Sequence, residues 1–299
     1  MIVRYPQLLA LAALAGCTAP DGAAEPETTA VVQPIPATSP TAAPVPAGPS
    51  TFAFDGQLTQ GGWIRGQVPA GTRTADLDGQ AISFDANGRF FAAFDRDAGP
   101  RATLTAHLAD GRILTSPVAI SPRDWAIERI NVARTPGGPT EAFLALRRPE
   151  LARIAAARAR NSMSDGWRQN FIWPVEGRIS GRFGSQRIYR GEPAAYHSGL
   201  DIAPGNGVAY VAPADGVVVL AAEQPFTLEG NLVIIDHGMG LNSAFLHSSR
   251  LAVKEGDVVR QGQLIGYTGA TGRASGPHLH WSIKWRAARL DPLLFLPPR

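Results

Sequence analysis

The amino-acid sequence predicts a mostly β protein: an N-terminal β-sandwich-like module, a short helical connector and a C-terminal antiparallel β domain. Three observations predict it. Between residues 51 and 131, turn dipeptides such as Asp55-Gly56, Asp78-Gly79, Asn87-Gly88 and Asp110-Gly111 separate short alternating runs, at the spacing of about eight to twelve residues that marks small all-β domains. The stretch from Pro149 to Ser162 is rich in alanine, which favours helix. After Phe171, glycine turns punctuate β-type runs such as Gly216-Val217-Val218-Val219-Leu220 and Leu232-Val233-Ile234-Ile235.

Composition narrows the function classes. Of 299 residues, 44% are hydrophobic and 18% charged, which excludes a fully disordered or fibrous chain. The 28 basic and 25 acidic side chains leave a net charge of +3, too small a surplus to indicate nucleic-acid binding. One cysteine, Cys17, excludes an internal disulfide and a cysteine-rich zinc site.

In chain order, residues 1–16 read as a signal segment. Arg4 supplies the charge, Leu8 to Ala15 the apolar core and Gly16-Cys17 the small-residue end, the layout of a secretory leader. Leu14-Ala15-Gly16-Cys17 resembles a bacterial lipobox, in which the cysteine becomes the mature N-terminus and carries lipid. Acyl chains stabilise insertion by about 0.8 kcal/mol per buried methylene. Thr18 follows, not Asp, and resemblance to Gram-negative lipoproteins then implies periplasmic exposure on an outer-membrane anchor.

Residues 17–50 form the linker. From Thr18 to Ser50 there are eight prolines, eight alanines, five threonines and no aromatic residue, too little apolar surface to offset chain entropy. Such a tether spans about 100 Å in polyproline geometry and about 30 Å as a coil. Residues 51–131 form the β module, whose single histidine, His107, is expected to be structural. Residues 132–165 form the helical connector, with Pro149 expected at the start of its helix, which runs to Ser162. Its arginines, preceded by Arg147 and Arg148, are expected on a solvated face. Residues 166–299 form the C-terminal domain.

Five of the six histidines fall at or after position 197. In His197-Ser198-Gly199-Leu200-Asp201, an extended strand would hold the two terminal side chains about 13 Å apart. If both bind one ion, the chain must bend, and Gly199 tolerates a bend. His278-Leu279-His280 on a strand sends both imidazoles to one face. Phe245-Leu246-His247 closes a β-type run. Two histidines and a carboxylate meet the ligand need of a hydrolytic zinc, which leaves one position for water, and further histidines can move protons or stabilise an oxyanion.

These segments, with Trp173 to Gly184, Ala212 to Val218, Gly230 to Gly238, Val258 to Gly266, Gly276 to His280 and Asp291-Pro292, resemble the lysostaphin-type (LytM-domain) zinc metalloendopeptidases that cut peptidoglycan peptides. The resemblance implies a compact antiparallel β metallopeptidase domain with Zn²⁺ held by His197, Asp201 and His280. It implies catalytic roles for His247 and His278 beside the scissile carbonyl, and a structural role for His237. The family usually has Tyr where Phe245 stands, which leaves a phenolic oxyanion donor open, with Tyr196 and Tyr189 nearest. Tyr210 stands where a smaller apolar residue is usual.

The implied function is zinc-dependent hydrolysis of peptide amide bonds in peptidoglycan stem peptides or cross-links. The alternative is a non-catalytic regulator that activates a cell-wall amidase, as in relatives that have lost their zinc ligands. The expected partners are peptidoglycan, the membrane through the Cys17 anchor and cell-wall or division proteins, with no nucleic acid. Cys17→Ser is expected to move the protein from the membrane to the soluble fraction and to abolish acyl mass at residue 17, read by fractionation and mass spectrometry.

Overall fold

The computed structural model describes residues 48–133, 138–222 and 224–298. The signal segment, Cys17 and the linker through residue 47 lie outside the described residues. The strands, in chain order, begin with β1 (Ala53–Gly56), β2 (Trp63–Gln67), β3 (Thr72–Leu77), β4 (Gln80–Ile82) and β5 (Arg89–Ala93). They continue with β6 (Arg101–Leu108), β7 (Ile113–Ala119) and β8 (Ile127–Ile130). A helix, α1 (Glu141–Ala159), follows. Beyond it come β9 (Arg178–Gly181), β10 (Gln186–Tyr189), β11 (Glu192–Pro193), β12 (Leu200–Ala203) and β13 (Ala209–Val211). Then follow β14 (Gly216–Ala221), β15 (Asn231–Asp236), β16 (Leu241–Ser248) and β17 (Arg250–Leu251). The last are β18 (Val258–Val259), β19 (Leu264–Tyr267), β20 (Leu279–Trp285) and β21 (Ala288–Leu290).

The first part consists of two sheets, β1-β2-β5 and β4-β3-β6-β7, as the sandwich pattern predicts. Along β6, Ala102, Leu104, Ala106 and Leu108 are buried while Arg101, Thr103 and His107 face water, the alternation of a half-buried antiparallel strand. β8 lies within residues 51–131 yet joins neither sheet. It pairs in parallel with β10, which pairs with β11, so the end of the first part is woven into the second.

The helix begins eight residues before Pro149, at Glu141, and Pro149 sits in its interior. The expected proline start is thereby corrected. Thr140 is the N-cap, its hydroxyl accepting from the Phe143 N–H at 3.2 Å, and Glu141 complements the positive end of the helix dipole. Tertiary bonds hold the turn around the proline. Arg147 is buried and grips Glu229 through both Nη atoms at 2.6 Å, with Glu150 at 2.9 Å. Glu150 in turn accepts from the Thr227 N–H and hydroxyl at 2.6 Å each. The buried Arg147 thus departs from the expected solvated face, whereas Arg148, paired with Glu141, and Arg160, paired with Glu255, lie on it.

The second part centres on an eight-stranded sheet in the order β18-β14-β15-β16-β20-β12-β9, with β21 beside β20. Antiparallel register places Leu246 and Asp201 opposite His280, on one face. Phe245 and Leu200 lie opposite Trp281, on the other. That second face is apolar and fully buried. Rings run across it from the first part: Trp63 stacks on Phe91 at 6.1 Å, Phe295 touches both, and Phe171, Trp281, Phe245 and Tyr210 continue the series. Buried residues of both parts share one core, and the described residues belong to a single compact unit. α1 packs through Ala157 over Val219, Leu220, Ile234 and Ala244.

Burial works against charge on Glu150, but the Thr227 and Arg147 hydrogen bonds outweigh it and hold the carboxyl below its ordinary range. Its stabilising contribution is therefore present above the ordinary carboxylate pKa and lost as pH falls through the lowered one. Arg147→Leu strands two largely buried carboxylates and should lower unfolding free energy by about 3–5 kcal/mol in urea titration. The gap should narrow in acid as Glu150 takes up a proton.

Candidate metal centre

Asp201 and His280 are direct cross-strand partners on β12 and β20, so register alone brings their side chains together. His197 precedes β12, and the chain bends to return its ring to the same place. His197 Nε2 lies 3.0 Å from Asp201 Oδ1, His280 Nδ1 lies 2.8 Å from that oxygen, and the two nitrogens are 3.1 Å apart. Among the described residues, these three form the group able to share one ion.

The donor set fits a cation. His197 Nδ1 donates to the Arg182 carbonyl at 3.0 Å, so in the neutral ring Nε2 is a bare lone pair. That lone pair faces a carboxylate oxygen and a second imidazole nitrogen. A divalent ion about 2.0–2.2 Å from each would satisfy all three, and the Arg182 carbonyl is the outer support that fixes a ligating histidine's tautomer. Electrostatics agree. Burial opposes ionisation of Asp201, yet hydrogen bonds from His197 and His280 hold its carboxyl well below the usual range. Burial would lower His197, but Asp201 reverses that and raises it. Burial lowers His280.

Gly199 has a different role from the one its position suggests. Its φ is not in the left-handed region, but a Cβ there would lie 2.6 Å from His280 Nε2 and 2.7 Å from the Trp281 carbonyl. A Cβ at Gly181 would sit 2.4 Å from Asp201 Oδ2. Both glycines make room for the donors.

His278 and His247 flank the group. His278 Nε2 is 3.7 Å from Asp201 Oδ1, while its Nδ1 donates to the Gly276 carbonyl at 2.8 Å. His247 Nδ1 donates to the Thr271 carbonyl at 2.8 Å. The two rings are 4.9 Å apart, and His247 is 6.2 Å from His280. In both, Nδ1 is engaged and Nε2 is left for chemistry. His247 reaches this position through a left-handed backbone, φ +66°, strain of the kind that concentrates at functional sites. Burial, followed by the nearby histidines, lowers its pKa.

The left-handed residue explains why Phe245 does not impoverish the site. Strand alternation puts Phe245 with Trp281 on the buried face, and the backbone at residue 247 turns the histidine to the other. A hydroxyl at residue 245 would point away from the donors. Tyr196 is also committed elsewhere: its hydroxyl reaches Asp95 at 3.4 Å. Tyr210 is fully buried against Phe245 and its hydroxyl bonds Ser248 Oγ at 2.7 Å. Tyr189 lines a cavity of about 760 Å³ beside His197, with Tyr196, Arg187, Glu128 and Arg273.

His237 is fully buried. Its Nδ1 donates to the Asp215 carbonyl and Nε2 accepts from Ser243 Oγ, each at 2.8 Å, and burial pushes its pKa down to about 4. His107 stands exposed on β6. Sequence reasoning missed Arg182, Glu229 and Thr271. They act at the site through backbone carbonyls, the Glu229 carbonyl accepting the His247 N–H at 2.8 Å, so side-chain type carries no signal.

Residues 195–292 match the model of Peptidase family M23. The chain is similar to Peptidoglycan DD-endopeptidase ShyA of Vibrio cholerae, 40% identical over 114 residues, which are 37% of this chain and 26% of that protein. It is similar to Murein hydrolase activator NlpD of Escherichia coli K12, 36% identical over 127 residues, 42% of this chain and 31% of that one. The matched stretch thus spans only about a quarter to a third of these relatives. A crystal structure from Pseudomonas aeruginosa assigned to peptidase M23 superposes with a TM-score of 0.62 at 28% identity, covering 80% of this chain and 94% of that one. The likeness therefore takes in the N-terminal β module as well.

Gly199→Ala is expected to weaken zinc binding at least about tenfold, the scale on which disturbed ligand supports act, measured by competition with a chromophoric chelator.

Proposed function

We propose, from the match of residues 195–292 to peptidase family M23, that the chain is a zinc endopeptidase hydrolysing peptide amide bonds in peptidoglycan stem peptides or cross-links. The observation that carries this reading is the converging His197, Asp201 and His280 donor set with two further imidazoles beside it. Zn²⁺ bound there would polarise the scissile carbonyl and make water acidic enough to attack it. The residues supply the rest. His247 and His278 each hold Nδ1–H on a carbonyl and present Nε2 to the site, so one can take a proton from the attacking water and return it to the leaving amine. The other, when protonated, can donate to the developing oxyanion. The cavity beside His197 offers room for a peptide, with Arg273 as a partner for its carboxylates. Cys17 and the linker read as an outer-membrane anchor that lets the enzyme sample the wall from the periplasm.

The second reading, activation of a cell-wall amidase, draws on the likeness to NlpD. An activator has no need of a complete donor set, which is why the enzymatic reading is preferred.

The test is digestion of isolated sacculi by the purified chain, followed by chromatography of released muropeptides and normalised to bound zinc. Wild type should release muropeptides unaided. Asp201→Ala should lose most of its zinc. His247→Ala and His278→Ala should keep zinc but lose at least about a hundredfold in release. Release only when an amidase is added would overturn the enzymatic reading in favour of the activator.

A further inference from the structure

We propose that Arg96, on the N-terminal β module, is a positioning residue for the metal centre, an assignment resting on the zinc reading above. It holds the turn Arg182–Ser185, whose backbone sets the direction and tautomer of His197.

The three donors are not equally supported. Asp201 and His280 face each other across a strand pair, so sheet register keeps them in place. His197 lies before β12, outside that register, and depends on the turn beside it. Three hydrogen bonds make the dependence specific. The Gly184 N–H donates to the His197 carbonyl at 2.8 Å, and the His197 N–H donates to the Ser185 carbonyl at 2.8 Å. The Arg182 carbonyl accepts from His197 Nδ1 at 3.0 Å. The first two locate the backbone of residue 197. The third aims Nε2 at the other donors.

This turn is gripped from about ninety residues upstream. Arg96 is only 5% exposed. Its Nε and Nη2 donate to the Gly184 carbonyl at 3.2 and 3.0 Å, and Nη2 also donates to Gln186 Oε1 at 3.2 Å. Its guanidinium stacks over Tyr196, the residue before His197, at 4.6 Å and over Trp125 at 5.1 Å. Trp125 presses on the same turn: Gly184 has φ +81°, and a Cβ there would lie 2.1 Å from the indole. Asp95, next to Arg96, receives the Tyr196 hydroxyl. The module therefore holds the backbone of the His197 segment on both sides. A planar five-donor cation fits this place, since it can fork onto a carbonyl while stacking on rings.

A second arginine supplies the control. Arg65, on β2, also clamps the two parts together by donating to the carbonyls of Arg168 and Gln169 at 3.3 and 2.8 Å, but it bonds nothing in the turn Arg182–Ser185. The experiment compares Arg96→Met and Arg65→Met in the full chain. Zinc affinity is measured by chelator competition, the visible spectrum after cobalt substitution, and metal-free stability by urea unfolding. Arg96→Met should bind zinc about 10–100-fold more weakly and shift the cobalt bands, while Arg65→Met keeps wild-type affinity and spectrum even where it loses stability. Should Arg96→Met fail to unfold cooperatively, Arg96→Lys, which cannot fork or stack equally, carries the test with the criterion of at least about tenfold weakening. Wild-type affinity in the Arg96 variant overturns the proposal. So does equal weakening in Arg65→Met, which would reduce Arg96 to a general fastener. A wild-type chain that binds no zinc overturns the zinc reading itself, and this one with it.

Discussion

The donor face of the eight-stranded sheet is only as well defined as the face behind it. An antiparallel sheet can show one side to solvent if the other is buried, and here that burial is made by rings. Trp63, Phe91, Phe295, Phe171, Trp281, Phe245 and Tyr210 follow one another at centroid distances of 5.2–6.5 Å. Each aromatic side chain buries a large area, and ring pairs add about 0.5–1.5 kcal/mol beyond it. The series reaches the site from behind. Trp281 is the chain neighbour of His280, and the Tyr210 hydroxyl ends on Ser248, next to His247. Polar geometry on one face thus rests on apolar packing on the other.

Against that background the histidines are held by unlike means. His280 and Asp201 use strand register, in which a slip of one residue would send both to the buried side. His247 uses a strained left-handed backbone, kept there by the Glu229 and Thr271 carbonyls and, through Arg147, by α1. His197 uses a turn gripped by the module. Each arrangement leaves one ring nitrogen pinned to a carbonyl and the other directed inward, except at His280, where Nδ1 itself points to Asp201.

The parts legible in the sequence are those in which side-chain identity is the mechanism. Period-two alternation exposes β6. The spacing of His278 and His280 exposes a shared face, and the resemblance carried by the surrounding segments singles out His197, Asp201 and His280, whose donor atoms the fold brings together. What was not legible depends on backbone or on distant partners. The start of α1 is set by the Thr140 cap and the Arg147–Glu229 bond, which outweigh the proline rule. β8 pairs with a strand more than fifty residues away, a choice no local pattern encodes. Gly199 suggests a bend by its position, whereas its value lies in the atoms it lacks. At Phe245 the resemblance leaves a phenolic donor open, and only the left-handed backbone at residue 247 separates that position from the histidine's face.

One consequence follows from a core that ignores the connector. Phe91 and Trp63 come from one side of α1 and Phe295 and Phe171 from the other, and β8 is hydrogen-bonded to β10 across the same divide. A covalent break in the connector would cut the chain without parting these surfaces. The two pieces are then a split protein, each carrying half of a hydrophobic interface that the other completes. Expressed separately, they have the physical means to find one another, and reassembly would be reported by whatever the reunited His197 turn can bind.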